Sequence, residues 1–218
     1  MKKHIVCFGD SNTHGYCAVA SDCADGGNRF NEDERWTCLL QKKLGEDYLV
    51  IEEGLSGRTT VFDDPLHECM SGLDVIYSTL MSHEPVDLLI IMLGTNDTKY
   101  RLSANAACIA IGMDRLCYKA KTTMCWNNNR PQILVVAPPH IGAGLNKIPE
   151  GEAMGIHCAE KSRALAEKYK NVCDAQGLEF FDAQGVAEFN DYDCMHLTAK
   201  GHAQLADALY TVIKERFF

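Results

Sequence analysis

Residues 87–93 read Asp-Leu-Leu-Ile-Ile-Met-Leu, which is apolar at every position after the first. A strand with one face in water alternates apolar and polar residues, because successive side chains point to opposite faces of the sheet. An unbroken apolar run is instead typical of a parallel strand that helices cover on both faces. Residues 133–137, Ile-Leu-Val-Val-Ala, show the same pattern. The two segments predict the centre of a parallel sheet.

Short apolar runs alternate with longer segments of helical periodicity along the rest of the chain. Strands are predicted at residues 4–8, 48–52, 87–93, 132–137 and 178–182, and helices at 34–44, 66–82, 104–124, 155–176 and 198–216. This alternation predicts an α/β fold in one domain, residues 1–218: a flavodoxin-like three-layer α/β/α sandwich. Its five-stranded parallel sheet should have the strand order 2-1-3-4-5.

Composition and charge narrow the possible partners. The formal net charge is −9, and Lys and Arg are scattered, which argues against a nucleic acid or an anionic membrane surface. The apolar stretch after the first two lysines is shorter than the roughly 7–15 residues of a signal peptide. No segment approaches the roughly 18 apolar residues of a membrane helix. We therefore expect a cytoplasmic protein.

Eleven cysteines are present, none in a C-x-x-C pair. We expect them to be reduced, structural thiols, and single out only Cys194 because it lies between two candidate catalytic residues. No cluster has the spacing of metal ligands, so neither a metal nor an organic cofactor is expected.

Four short segments place polar groups where strands end or before the last helix. Ser11 follows the first strand in FGDSNT, Gly57 follows the second in EEGLSGRTT, and Asn96 follows the third in LGTNDT. Asp193 and His196 precede the last helix, three residues apart, and can meet across one turn. Each segment alone is more typical of a turn or a helix cap.

Together the four segments contain the groups that acyl transfer requires. Ser11 is the candidate nucleophile, His196 the candidate base and Asp193 the acid that orients it. The backbone N–H groups of Ser11 and Gly57 and the side chain of Asn96 are candidate oxyanion donors. The order Ser…Asp…His is a known order for such a triad, although the G-x-S-x-G motif is absent.

These residues resemble the SGNH hydrolases, also called GDSL esterases and lipases. The four residues that name the family match Ser11, Gly57, Asn96 and His196, and its Asp-x-x-His block matches Asp193 and His196. EEGLSGRTT, IIMLGTNDTK and DERWTCLLQKKLG look like the intracellular bacterial arylesterase and acyltransferase branch. The resemblance implies the SGNH hydrolase fold and a cofactor-free serine esterase that acts on a small-molecule ester.

One position departs from the family pattern, in which leucine follows the serine. Asn12 stands there, and His14 follows two residues later. We expect Asn12 and His14 to bind substrate and to give the pocket a polar floor, which favours short acyl groups.

Several alternatives stay open at this point. Within the family, the protein could be a carbohydrate O-deacetylase or a lysophospholipase; in a different class, a flavodoxin-like module could bind a flavin phosphate after the first strand. The long loops 15–33 and 138–154 are candidates for pocket walls or for contacts in a homo-oligomer.

Overall fold

The strands of the protein form one parallel sheet. A computed structural model describes residues 1–218, apart from the side chains of Asn146 and Glu150. The strands are β1 (Lys3–Gly9), β2 (Tyr48–Gly54), β3 (Leu88–Met92), β4 (Ile133–Ala137) and β5 (Glu179–Asp182). Their order is β2-β1-β3-β4-β5, and every neighbouring pair is parallel. The predicted sheet and strand order are confirmed.

Helices cover both faces of this sheet. They are α1 (Ser11–His14), α2 (Trp36–Leu44), α3 (Gly72–Ser82), α4 (Ala106–Thr122), α5 (Pro149–Met154), α6 (Cys158–Arg163), α7 (Leu165–Gln176) and α8 (Ala199–Arg216). The side chains of β3 divide between the two layers. Leu89 and Ile91 pack against α3, α4 and α7, whereas Leu88 and Ile90 pack against α2 and α8. Every residue of β3 and β4 is buried, as their apolar sequences predict. None of the described helices is long and apolar enough to cross a membrane.

The helix predicted at residues 66–82 begins six residues later, at Gly72. The preceding residues do not extend it because Asp64 holds the first of them in a turn and Cys69 has a φ of +58°, outside the α-helical region. The Asp64 carboxylate accepts the N–H of Leu66 at 3.1 Å, and its carbonyl accepts that of His67 at 3.0 Å.

The helix predicted at residues 155–176 is two helices, α6 and α7. The first of them, α6, starts only at Cys158, because Gly155 and His157 have φ values of +83° and +66°, outside the α-helical region. The N–H of Ala164 bonds to the carbonyl of Lys161 at 3.1 Å, a tighter turn that separates the two helices.

The loop predicted at residues 138–154 contains a 3₁₀ helix, Ala143–Lys147, and then α5. Pro149 occupies the first position of α5, where its missing N–H costs nothing. The loop at residues 15–33 is mostly irregular and buries Cys17, Cys23 and Phe30 beside Ala199 at the start of α8. Both loops therefore pack onto the domain.

The carboxyl ends of β1 and β2 approach each other closely. A Cβ atom at Gly54, the last residue of β2, would lie 2.2 Å from the backbone nitrogen of His14 in α1. Only glycine allows this approach. It brings the segment after β2, which contains Gly57, beside Ser11.

Candidate active site

Three predicted residues meet at the carboxyl edge of the sheet. His196 Nε2 lies 2.8 Å from Ser11 Oγ, and His196 Nδ1 lies 2.6 Å from Asp193 Oδ2. Ser11 is the first residue of α1, directly after β1, and the other two lie in the segment before α8. A hydroxyl, an imidazole and a carboxylate thus form one continuous hydrogen-bonded chain, the arrangement of a serine hydrolase triad.

The turn from Asp193 to His196 is held by its own polar groups. Asp193 Oδ1 accepts the backbone N–H groups of Met195 at 3.0 Å and His196 at 2.9 Å. The Asn190 amide also donates to Asp193 Oδ1 at 3.0 Å and to the His196 carbonyl at 2.8 Å. These bonds occupy Oδ1 and leave Oδ2 for the imidazole. Asn190 was missed in the sequence, where an asparagine three residues before an aspartate is only a weak turn signal.

The carboxyl of Asp193 is kept ionised by the same contacts. Burial raises its pKa, but the hydrogen bond and charge of His196 and the two backbone N–H groups together lower the pKa below its usual value. Asp191, the other carboxylate of this segment, is exposed and borders a separate cavity with His140 and Phe189. Geometry therefore favours Asp193 as the partner of His196.

The three candidate oxyanion donors border the same cavity as His196. The N–H of Ser11 has no partner within α1, because it belongs to the first residue of the helix. Gly57 has φ +92°, a conformation that side chains rarely adopt, and a Cβ there would lie 3.0 Å from Met70 Sδ. Asn96 donates one amide hydrogen to the Arg58 carbonyl at 3.2 Å, which fixes the orientation of its amide.

The cavity has a volume of about 450 Å³. Tyr16 from the 15–33 loop forms one wall, and its ring centroid lies 4.6 Å from that of His196. Ala153 and Met154 of α5 form another wall, and His67 and Lys99 complete the rim. Both long loops therefore contribute to the pocket. His67, an exposed residue that the sequence did not single out, is among its lining residues.

We correct the expectation of a polar floor made by Asn12 and His14, since neither lines the cavity. Asn12 is buried, and its amide bonds to the Met195 carbonyl at 3.2 Å and to the Leu197 N–H at 3.0 Å. It therefore joins the segment after β1 to the segment that carries His196. His14 lies beside the end of β2, where its carbonyl accepts a hydrogen bond from Arg29 at 2.8 Å.

Cys194 is a structural residue. It has φ +58°, its thiol is buried, and its carbonyl accepts the N–H of Gly142 at 2.8 Å. Burial raises the pKa of the thiol, which disfavours the reactive thiolate. The residue thus anchors the 138–154 loop. All eleven cysteines are unpaired thiols. Among the described side chains, no group of three or more His, Cys, Asp or Glu residues could hold a metal ion.

Two buried carboxylates lie behind the oxyanion donors. Asp10 precedes Ser11 and accepts the N–H of Asn12 at 3.0 Å. Asp97 follows Asn96 and accepts the N–H of Thr60 at 2.9 Å, which ties the segment after β2 to the segment after β3. Burial raises the pKa of each carboxyl to about 6.

Comparison with known proteins identifies the family. A sequence model of the GDSL-like lipase/acylhydrolase family matches residues 7–204. The chain belongs to this family. In a sequence comparison, no curated protein matched this acylhydrolase.

Solved structures of related enzymes share the whole fold. An aryl esterase from M. smegmatis is 36% identical, with 98% of this chain and 99% of that chain covered and a TM-score of 0.87. A carbohydrate acetylesterase from Sinorhizobium meliloti is 35% identical, with 99% and 100% covered and a TM-score of 0.87. A lipase/acylhydrolase from Enterococcus faecalis is 19% identical, with a TM-score of 0.72 and 99% and 97% covered, and shares the fold. This acylhydrolase is a carboxylic ester hydrolase.

The raised pKa of Asp97 leads to a testable prediction about the stability of the fold. Its folded-state pKa of about 6 lies above the usual unfolded value of about 3.9. The carboxyl therefore stabilises the fold below pH 4, and that contribution is lost as the pH rises through about 6. An asparagine at this position would keep the acceptor for Thr60 but could not ionise. Relative to wild type, Asp97→Asn should gain about 2 kcal/mol in free energy of unfolding between pH 4.5 and 7.5.

Urea denaturation at both pH values measures this gain. Asp74→Asn, which removes an exposed carboxylate on α3, is the control for loss of a negative charge. A difference between Asp97→Asn and wild type that stays constant with pH would contradict the prediction.

Proposed function

We propose that the protein hydrolyses small carboxylic esters through an acyl-enzyme formed on Ser11. The observation that carries this proposal is the hydrogen-bonded chain from Ser11 Oγ through His196 to Asp193 Oδ2, with distances of 2.8 and 2.6 Å. This chain opens into a cavity that three candidate oxyanion donors also border, which supports a nucleophile, a base and an oxyanion site in one place.

In the first half of the reaction, Ser11 Oγ attacks the ester carbonyl carbon while His196 Nε2 accepts the hydroxyl proton. The carbonyl π electrons move onto oxygen, and the oxyanion is stabilised by the N–H groups of Ser11 and Gly57 and by the Asn96 amide. The intermediate then collapses. His196 gives its proton to the leaving alcohol, and the acyl group stays on Ser11.

In the second half, water takes the place of the alcohol. His196 accepts a proton from the attacking water, and the collapse of the second intermediate releases the carboxylic acid and returns the proton to Ser11. Asp193 remains ionised throughout and stabilises the imidazolium that forms in each half. Another alcohol could replace water in this step and accept the acyl group.

The size of the cavity supports a small substrate. About 450 Å³ is near the lower end of ligand pockets, which span roughly 300–1,000 Å³. The similarity to an aryl esterase and to a carbohydrate acetylesterase also supports short acyl groups, acetyl above all. Deacetylation of a carbohydrate would use the same triad, and the second of these neighbours favours it as the alternative substrate class. A flavodoxin-like binding role has no support from the family.

The expectations about binding partners, cellular location and oligomeric state remain predictions. The net charge of −9 argues against a nucleic-acid substrate. A cytoplasmic location and a homo-oligomer belong to the proposal as expectations from the sequence.

The nucleophile is tested with a fluorophosphonate probe, which phosphonylates an activated serine. We expect wild type to carry one label on Ser11, located by mass spectrometry, and Ser11→Ala to carry none. Ser56→Ala is the matched control, because Ser56 borders the same cavity but lies outside the hydrogen-bonded chain of His196; this variant should still be labelled. Label on Ser56, or label retained by Ser11→Ala, would refute the assignment.

The oxyanion role of Asn96 is tested by turnover. Asn96→Ala should lower kcat for p-nitrophenyl acetate by about 10²–10³, because one donor to the developing charge is lost. Circular dichroism and the unfolding midpoint establish that the variant is folded. Turnover close to that of wild type by the folded variant would count against the proposed oxyanion site.

The identity of the acid is tested with two carboxylates of the same segment. Asp193→Asn should reduce kcat by orders of magnitude, because the amide cannot stabilise the imidazolium. Asp191→Asn makes the same chemical change two residues away, at an exposed position, and should reduce kcat far less. A larger loss in Asp191→Asn than in Asp193→Asn would show that Asp191 is the acid.

A further inference from the structure

A buried ion cluster lies behind the pocket wall that carries His67, Lys99 and Ala153. The carboxylate of Asp64 is fully buried. It accepts hydrogen bonds from Lys99 Nζ at 3.0 Å and from Arg101 Nε and Nη2 at 2.9 and 2.7 Å. Arg101 therefore makes a bidentate contact, the geometry that best matches a carboxylate. Together Asp64, Lys99 and Arg101 form what we call the Asp64 cluster.

The cluster joins three parts of the pocket wall. Lys99 lines the cavity three residues after Asn96. Asp64 shapes the turn that presents His67 at the rim: its carboxylate accepts a hydrogen bond from the Leu66 N–H, and its backbone carbonyl accepts one from the His67 N–H. Arg101 also donates through Nη1 to the Ala153 carbonyl at 2.6 Å, and Ala153 lines the cavity from α5.

The wall made by α5 depends on such outside contacts. The helix has only six residues and ends at Gly155, whose φ of +83° stops it. Isolated helices of this length are unstable in water, so tertiary contacts must fix its position. The Ala153 carbonyl accepts a hydrogen bond from Arg101, and the Met154 carbonyl accepts one from the Cys158 thiol at 3.3 Å.

The charges of the Asp64 cluster hold Arg101 in the orientation in which it contacts Ala153. The Arg101 and then the Lys99 side chain lower the pKa of Asp64 far below its usual value, so the carboxylate remains charged at neutral pH. Its oxygens accept four hydrogen bonds, including the N–H of Leu66. A buried carboxylate with this many partners has one orientation, and it fixes that of Arg101.

We infer that the Asp64 cluster is a positioning device that sets the length of acyl chain the pocket admits. This inference rests on the proposed function. With Arg101 in place, α5 is held against the cavity and limits its depth. Without the Arg101 contact to Ala153, α5 can move outward, and longer acyl chains bind.

Arg101→Lys tests this inference, since lysine keeps the positive charge beside Asp64 but cannot bind Asp64 and the Ala153 carbonyl with a planar fork. The assay is a series of p-nitrophenyl esters from acetate to octanoate. We expect kcat/KM for hexanoate relative to acetate to rise about fivefold or more in the variant, mainly through a lower KM for hexanoate.

Arg216→Lys is the matched control. Arg216 likewise binds a carboxylate, Glu179 at 3.3 Å, and a backbone carbonyl, Phe180 at 3.0 Å, but it borders a different cavity. It should leave the chain-length profile unchanged. The inference is overturned if the profile of folded Arg101→Lys equals that of wild type, or if the variant loses activity equally on all esters, as a purely structural role predicts.

Hydrogen exchange of the backbone gives a readout that does not need turnover. Amides of residues 149–154 should exchange several-fold faster in Arg101→Lys than in wild type and in Arg216→Lys. Unchanged exchange there would overturn the inference even if activity changes. If wild type hydrolyses none of the esters, the proposed function fails, and the exchange rates still decide whether Arg101 holds α5.

Discussion

The site depends on one constraint, the parallel direction of neighbouring strands. Because β1, β2 and β3 all run the same way, their carboxyl ends lie at one edge of the sheet, and the segments that follow them become neighbours. Ser11, Gly57 and Asn96 are far apart in the chain and yet border the same cavity. An antiparallel pairing of the same strands would send one of these segments to the opposite edge.

A second layer of polar contacts turns this convergence into defined geometry. Asp97 ties the segment after β2 to the segment after β3, Asn12 ties the segment after β1 to the one before α8, and Asn190 closes the turn that carries Asp193. Each contact is a hydrogen bond made by a side chain that the surrounding fold buries, as acceptor for Asp97 and as donor for Asn12 and Asn190. Such bonds leave the loops few alternative conformations, so the reacting groups need little rearrangement before reaction.

The sequence predicts the parts of this protein that follow from periodicity. Strands such as β3 and β4 are recognisable because burial on both faces demands an unbroken apolar run, and the polar residues at their ends identify most of the site. Asn12 is the instructive failure. Its position beside Ser11 suggests contact with substrate, but the direction of its side chain is decided by the backbone of residues 195 and 197. Helix starts at 66 and 155 fail for a different reason: the Asp64 turn and the positive φ of Gly155 are local interruptions of segments whose periodicity is helical. His67 and Asn190 carry no periodic signal at all.

The hydrogen bonds of Asn12 also connect the beginning of the chain to its end, since its partners lie 183 and 185 residues away. Ser11 and His196 are separated by 185 residues as well. Neither segment alone assembles the pair, so the serine acquires its base only when these two distant parts of the chain have packed against the same sheet. Contacts between residues this far apart in sequence form only with long-range folding. Catalytic activity therefore reports the folding of the domain as a whole and not of the local structure around either residue.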